Sequence, residues 1–238
     1  MERTLAELVS RLKKGAGGNL KAIVLYGSAV TGEFSSGHSD LNVLCVVERA
    51  GTSELENLHD AAEWWMGQGN PPPLLFTFEE LRASADVFAI EMVDMKLRHR
   101  MLLGDDFFDH FEIPLRLHAL QLERELRSRW LRLREAVLAA PLKKKAHLAI
   151  MVASISTFCA LFRHALWALG NPMPATRREA VNGVAALTGA NPSAFHAILD
   201  LREGKTKPRK IDIEETLHSY LELVEVVTNE VDRRLGAQ

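Results

Sequence analysis

Residues 24–47 read VLYGSAVTGEFSSGHSDLNVLCVV, and the fold turns on this stretch. An apolar strand runs into Gly27-Ser28, eleven residues follow, and Asp40-Leu41-Asn42 then opens a second apolar, β-branched run. A glycine at a strand end lets backbone N–H groups come close to a phosphate. A turn or short helix over 28–32 would aim its N-terminal donors at the same place, and the Ser28 hydroxyl adds another. Residues 40 and 42 are two apart, so on a strand their side chains leave by the same face. Carboxylates there would hold Mg²⁺ against a triphosphate. Two such metals can activate an attacking oxygen and steady a departing pyrophosphate.

Working outward, the spacing predicts an amphipathic helix over 1–14, with Leu5, Leu8, Val9 and Leu12 on one face. The GAGG run at 15–18 ends it. Strands are expected over 20–26, 41–47 and 74–78. A helix is expected over 52–66, capped by Ser53 with Glu56 three residues on. The GQGNPPP run at 67–73 is a breaker, residues 79–84 suit a helical turn, and 87–103 suits a helix or a mixture of helix and strand. Beyond Pro114 the pattern is helical throughout: 115–140 (with Leu115, Leu122, Leu126, Leu133 and Val137 at near-heptad spacing), 146–169, 177–187, 192–201 and 214–235. Strands mixed with helices, then helices alone, argue for two domains. The expected fold is α+β: a small mixed sheet flanked by helices over 1–110, then an all-helical bundle over 111–238.

A chain of 238 residues with 47% hydrophobic and 25% charged residues has the composition of a globular protein with real cores. Its net charge of −2 gives no overall basic excess for holding nucleic acid. Cys45 and Cys159 sit in apolar runs and read as buried free thiols, which suits a reducing, cytoplasmic setting. The uncharged stretch 148–162 is short for a bilayer span and reads as a core helix.

The glycine-serine, spacer and aspartate pattern of 27–42 resembles the signature of the DNA polymerase β superfamily of nucleotidyltransferases. A transferase unit followed by a helical bundle resembles the aminoglycoside branch, of kanamycin and streptomycin type. The resemblance covers about the first 105 residues. It implies Mg²⁺-dependent transfer of a nucleotidyl group from an NTP, ATP foremost, to a hydroxyl of an acceptor. It implies that Gly27, Ser28 and Ser39 bind the nucleotide and that Asp40 and Asn42 hold the metal. The chain departs from the family at Asn42, where a second aspartate is the rule; an amide offers an oxygen but no charge. It departs again in the third strand, LLFTF, which lacks the family's third carboxylate. The candidates for that role, as base or ligand, are Glu91 and Asp94 in FAIEMVDMK. Streptomycin-type enzymes place a glutamate base in a comparable segment. The rival reading is a degenerate relative that binds nucleotide or a protein partner without catalysis.

Other features read as structural. The arginines of 116–134 lie among glutamates at i,i+4 spacing, as on a solvated face. Lys143 to Lys145 and the basic run at 205–210 read as loops, His38 as a loop histidine, and Trp64 and Trp65 as packing residues. Arg163-His164 lacks the spacing of the helical RNases that accompany such transferases. A small-molecule acceptor lying between the two domains is expected. A membrane and nucleic acid are not, and an oligomer is compatible with the pattern.

Overall fold

The structure is a computed structural model that describes residues 1–30 and 40–235. The chain divides into two compact units, Met1–Leu115 and Arg116–Gln238.

The first unit is built on a four-stranded mixed sheet: β1 (Leu20–Tyr26), β2 (Asn42–Val47), β3 (Leu74–Thr77) and β4 (His99–Leu103), in the spatial order β3-β2-β1-β4. β1 runs antiparallel to both β2 and β4, and β2 runs parallel to β3. A parallel pair needs a long crossover, which α2 (Thr52–Gly67) supplies. Side chains alternate between the faces. Ile23, Leu25, Val43 and Cys45 pack on α1 (Glu2–Ala16) and α2 through Leu5, Leu8, Leu12, Leu58, Ala61 and Trp65. Ala22, Val24, Leu44 and Val46 face the other way. They pack on α3 (Phe78–Ser84), α4 (Ala89–Leu97) and the aromatic pair Phe108 and Phe111.

The cap of α2 differs from the expectation. Gly51 is its N-cap, and Ser53 already lies in the first turn, bonded to Glu54 at 3.1 Å. The reciprocal capping box is instead at the start of α3, where Thr77 accepts from the Glu80 N–H at 3.1 Å and the Glu80 carboxylate accepts from the Thr77 N–H at 2.8 Å. The ambiguous span 87–103 resolves into α4 and β4.

Within the described residues the second unit is helical: α5 (His118–Ala139), α6 (Lys144–Ala168), α7 (Arg177–Thr188), α8 (Ser193–Arg202) and α9 (Ile213–Leu235). Phe195 stacks on Tyr220 at 4.2 Å, beside Phe158 and Phe162. α6 is long and apolar enough to cross a membrane by length and composition; here it packs against α5, α7, α8 and α9. Two details correct the sequence reading. Lys144 and Lys145 open α6 rather than lying in a loop. α5 begins at His118, so Leu115 lies outside it and is 45% exposed. The Glu123–Arg127 and Glu125–Arg129 pairs form as expected.

Candidate functional site

The end of β1 and the start of β2 lie side by side because the strands are antiparallel. Tyr26 pairs with Asn42 on one side and with His99 of β4 on the other. The next residue, Gly27, has φ +80, a conformation that costs any residue with a Cβ. A Cβ built there would sit 3.2 Å from the Asn42 amide nitrogen. Gly27 therefore lets the chain turn and lets Asn42 lie against its backbone. Gly27–Ala29 forms one 3₁₀ turn, closed by the Val30 N–H donating to the Gly27 carbonyl at 3.1 Å.

Asn42 is the first residue of β2, and Asp40 lies just before the regular strand. Between them Leu41 is buried in the core beneath the sheet, and its backbone N–H donates to the Asn70 side-chain oxygen at 3.0 Å. Asn70 belongs to the GQGNPPP run. Its amide anchors the peptide that joins Asp40 to Asn42, a role that the breaker reading of the run did not suggest. Asp40 itself is exposed. The Asn42 side chain makes no hydrogen bond to another described residue.

Tyr26, Asn42, Leu44 and Val46 share the sheet face that α4 covers. α4 carries both carboxylate candidates, and they differ. Glu91 is exposed and acts on Tyr26: burial first, and the Glu91 charge second, push the Tyr26 hydroxyl up to about 12. Asp94 is half-buried, with one carboxylate oxygen out of solvent. Glu91 thus lies within electrostatic reach of Tyr26, the middle of the row Asn42–Tyr26–His99. His99 closes that row, its ring nitrogens 3.0 Å from the Met95 carbonyl and 2.9 Å from Asp106. The hydrogen bond from His99 holds the Asp106 carboxyl below the usual carboxylate range. Sequence reading missed Tyr26 and His99, because each looks like an ordinary strand residue until the register is known.

Ser28 lies in the 3₁₀ turn; Ser39 and His38 fall outside the described residues. Among the described residues, no group of three or more histidine, cysteine, aspartate or glutamate side chains is placed to hold a metal ion. Trp65 is fully buried, and half-buried Trp64 carries the Arg11 guanidinium 4.7 Å over its ring, as packing residues do. Cys45 and Cys159 are buried free thiols.

No family model matches the sequence, and no curated protein is significantly similar to it. Among solved structures, spectinomycin adenyltransferase AAD(9) from Enterococcus faecialis, crystallised with ATP and spectinomycin, matches over 99% of each chain at 15% identity and a TM-score of 0.56. The chain thus shares its fold with that adenyltransferase, an α+β sheet unit followed by a helical unit. The tri-AMPylated HEPN toxin of Shewanella oneidensis in complex with MNT antitoxin matches over 58% of this chain and 98% of that one, at 12% identity; its TM-score of 0.31 is too low to argue from.

Proposed function

We propose that this chain binds a nucleoside triphosphate at the mouth between β1 and β2 and transfers its nucleotidyl group to a hydroxyl of a small-molecule acceptor. The observation that carries the reading is the meeting of a left-handed Gly27 with Asn42 at paired strand ends, two residues from the exposed Asp40. It is supported by a fold that matches, along its whole length, a chain crystallised with ATP and spectinomycin.

The backbone of 27–29 and the Ser28 hydroxyl would cradle the phosphates. The donor set fits one Mg²⁺ that arrives with the triphosphate. Such an ion takes one or two carboxylates and completes its shell with phosphate oxygens and water, and Asp40 would hold it. When bound, the ion supplies positive charge to the phosphates in transfer. The residues do not fit a second resident metal, because Asn42 brings no charge. Glu91, exposed beside Tyr26, is the better placed of the two α4 carboxylates to act as general base. It takes the proton of the acceptor hydroxyl, and that oxygen attacks the α-phosphorus. The new O–P bond forms as the bond to the bridging oxygen breaks, and pyrophosphate leaves with the bonding pair.

The test is calorimetric titration with non-hydrolysable ATP and GTP analogues, with and without Mg²⁺, beside Asp40→Ala and Glu91→Gln. Pyrophosphate release is then followed across a panel of aminoglycosides with spectinomycin among them. Mg²⁺-dependent binding lost in Asp40→Ala, and turnover lost but binding kept in Glu91→Gln, are the expected results. No binding of any analogue by a folded chain would sink the proposal. The charge lost at Asn42 favours a second reading, a nucleotide-binding relative without transfer. That reading expects tight binding and no pyrophosphate release with any acceptor.

A further inference from the structure

We infer that Asn42 serves the nucleotide as a hydrogen-bond donor to a phosphate oxygen, in place of a metal ligand. The inference rests on the nucleotide site proposed above and assigns the chemistry of one of its residues. Three observations carry it. The amide nitrogen is the atom of Asn42 that faces Gly27, 3.2 Å from where a Cβ would stand. It therefore points at the same backbone turn that would cradle the phosphates, whereas the carbonyl oxygen is not within 4 Å of that position. The side chain spends no donor on another described residue, although an amide carries two. Asn42 is nevertheless not loose. Its Cα register is fixed against Tyr26, and the peptide before it is tied to Asn70.

An amide and a carboxylate at this point do opposite things. A carboxylate accepts only; it repels a triphosphate unless a cation stands between them. An amide donates, and a hydrogen bond to a charged oxygen is among the stronger ones. The two roles for position 42 therefore predict opposite signs for one substitution. If Asn42 were a weak metal ligand, Asn42→Asp would strengthen the metal site and tighten binding of the Mg²⁺–triphosphate. If Asn42 is a phosphate donor, the same change deletes the donor and sets a negative charge against the phosphates, so binding weakens.

The experiment measures the Kd of non-hydrolysable ATP and GTP analogues at saturating Mg²⁺ for the wild-type chain, Asn42→Asp and Asn42→Ala, with melting curves to show that each variant is folded. The expected result is a loss of about tenfold to a hundredfold in Asn42→Ala, the range of one hydrogen bond to a charged group. Asn42→Asp should lose at least as much. Tighter binding by Asn42→Asp than by the wild type would overturn the inference and restore the metal-ligand role. An Asn42→Ala variant that binds like the wild type would overturn it too, and the nucleotide site would stand without it. A wild-type chain that binds no analogue would overturn the nucleotide reading itself, and the inference with it.

Discussion

Gly27, Gly69 and Gly104 share a φ near +80 but differ in what a methyl group would meet, so together they separate backbone strain from crowding. Gly69 has φ +85, and a methyl group there would find nothing within 4 Å. Gly27 has φ +80 and the Asn42 amide nitrogen at 3.2 Å. Gly104 has φ +83, the Lys21 carbonyl oxygen at 2.5 Å and the Ala22 Cα and Cβ at 3.3 Å. Left-handed backbone costs an alanine roughly 1–2 kcal/mol, offset by about 0.4–1 kcal/mol from the stiffer unfolded chain. Gly69→Ala should therefore cost about 1 kcal/mol or less. Gly27→Ala adds the displacement of an amide by a few tenths of an ångström, and about 1–2 kcal/mol is expected from strain of this kind. Gly104→Ala drives a methyl group into the backbone of β1, the strand hydrogen-bonded to both β2 and β4. Overpacking of that kind adds about 1–3 kcal/mol. Urea unfolding followed by tryptophan fluorescence, with Trp64 and Trp65 in this unit, should rank the losses Gly69→Ala, Gly27→Ala, Gly104→Ala. Nucleotide affinity should fall in Gly27→Ala out of proportion to its stability loss, because Asn42 is displaced. A Gly27→Ala chain as stable as Gly69→Ala, with unaltered nucleotide binding, would refute the reasoning.

Trp65 is fully buried, and its indole N–H has no hydrogen-bond partner among the described residues; Trp65→Ala should cost about 3–5 kcal/mol as a cavity, whereas Trp65→Phe, losing no hydrogen bond, should cost well under half of that in the same urea titration. Thr77→Ala removes the N-cap side chain of α3 and should cost about 1 kcal/mol, with Thr77→Ser restoring most of it. Tyr26 holds its proton up to about 12 in the folded chain, against an ordinary value of 10. The unfolded chain thus ionises first, and stability present below pH 10 is lost as the pH rises from 10 toward 12. Tyr26→Phe should lessen the slope of stability against pH in that window; an unchanged slope would mean that the hydroxyl is not held as described.

The positions of β1, β2 and β3 and the change from sheet to helices were legible because they are local: β-branched runs bounded by glycine and proline, then 3.6-residue periodicity; β4, inside the ambiguous span 87–103, was not. That Gly27 closes β1 was legible too, but its left-handed backbone was not. The roles of Tyr26, His99 and Asn70 were not. Tyr26 looks like the last residue of a buried strand, and only the pairing with Asn42 and His99 puts it in the site. Asn70 looks like part of a proline-rich breaker, and only the bond from Leu41 makes it a brace. The different surroundings of Glu91 and Asp94 were not legible because they depend on the helix phase: three residues apart on α4, Glu91 stays exposed and Asp94 turns a carboxylate oxygen inward. Ser53 misled because a serine three residues before a glutamate is a good cap only where the backbone enters the helix, and here it enters two residues earlier, at Gly51.

Register connects these details. Side chains on a strand change face with every residue, so a slip of one position would move Asn42 from the α4 face to the α1–α2 face, into the company of Leu25, Val43 and Trp65. An amide there would be buried without partners, at a cost of a few kcal/mol. The sheet resists that slip at its far end. β1 changes register between Leu20 and Ala22, and this irregularity puts Leu20 with Ile23 and Leu25 rather than on the face of Ala22 and Val24. Lys21, the residue between them, bonds to Glu48 at 2.7 Å. A second irregularity lies between Ile23 and Val24 in the pairing with β4. Bulges of this kind pin a register because a shifted strand could not keep both. The apolar content of the two cores therefore also sets which polar groups meet at the open end of the sheet. It is the packing of Leu20, Ile23 and Leu25 below, and Ala22 and Val24 above, that holds Asn42 against Gly27.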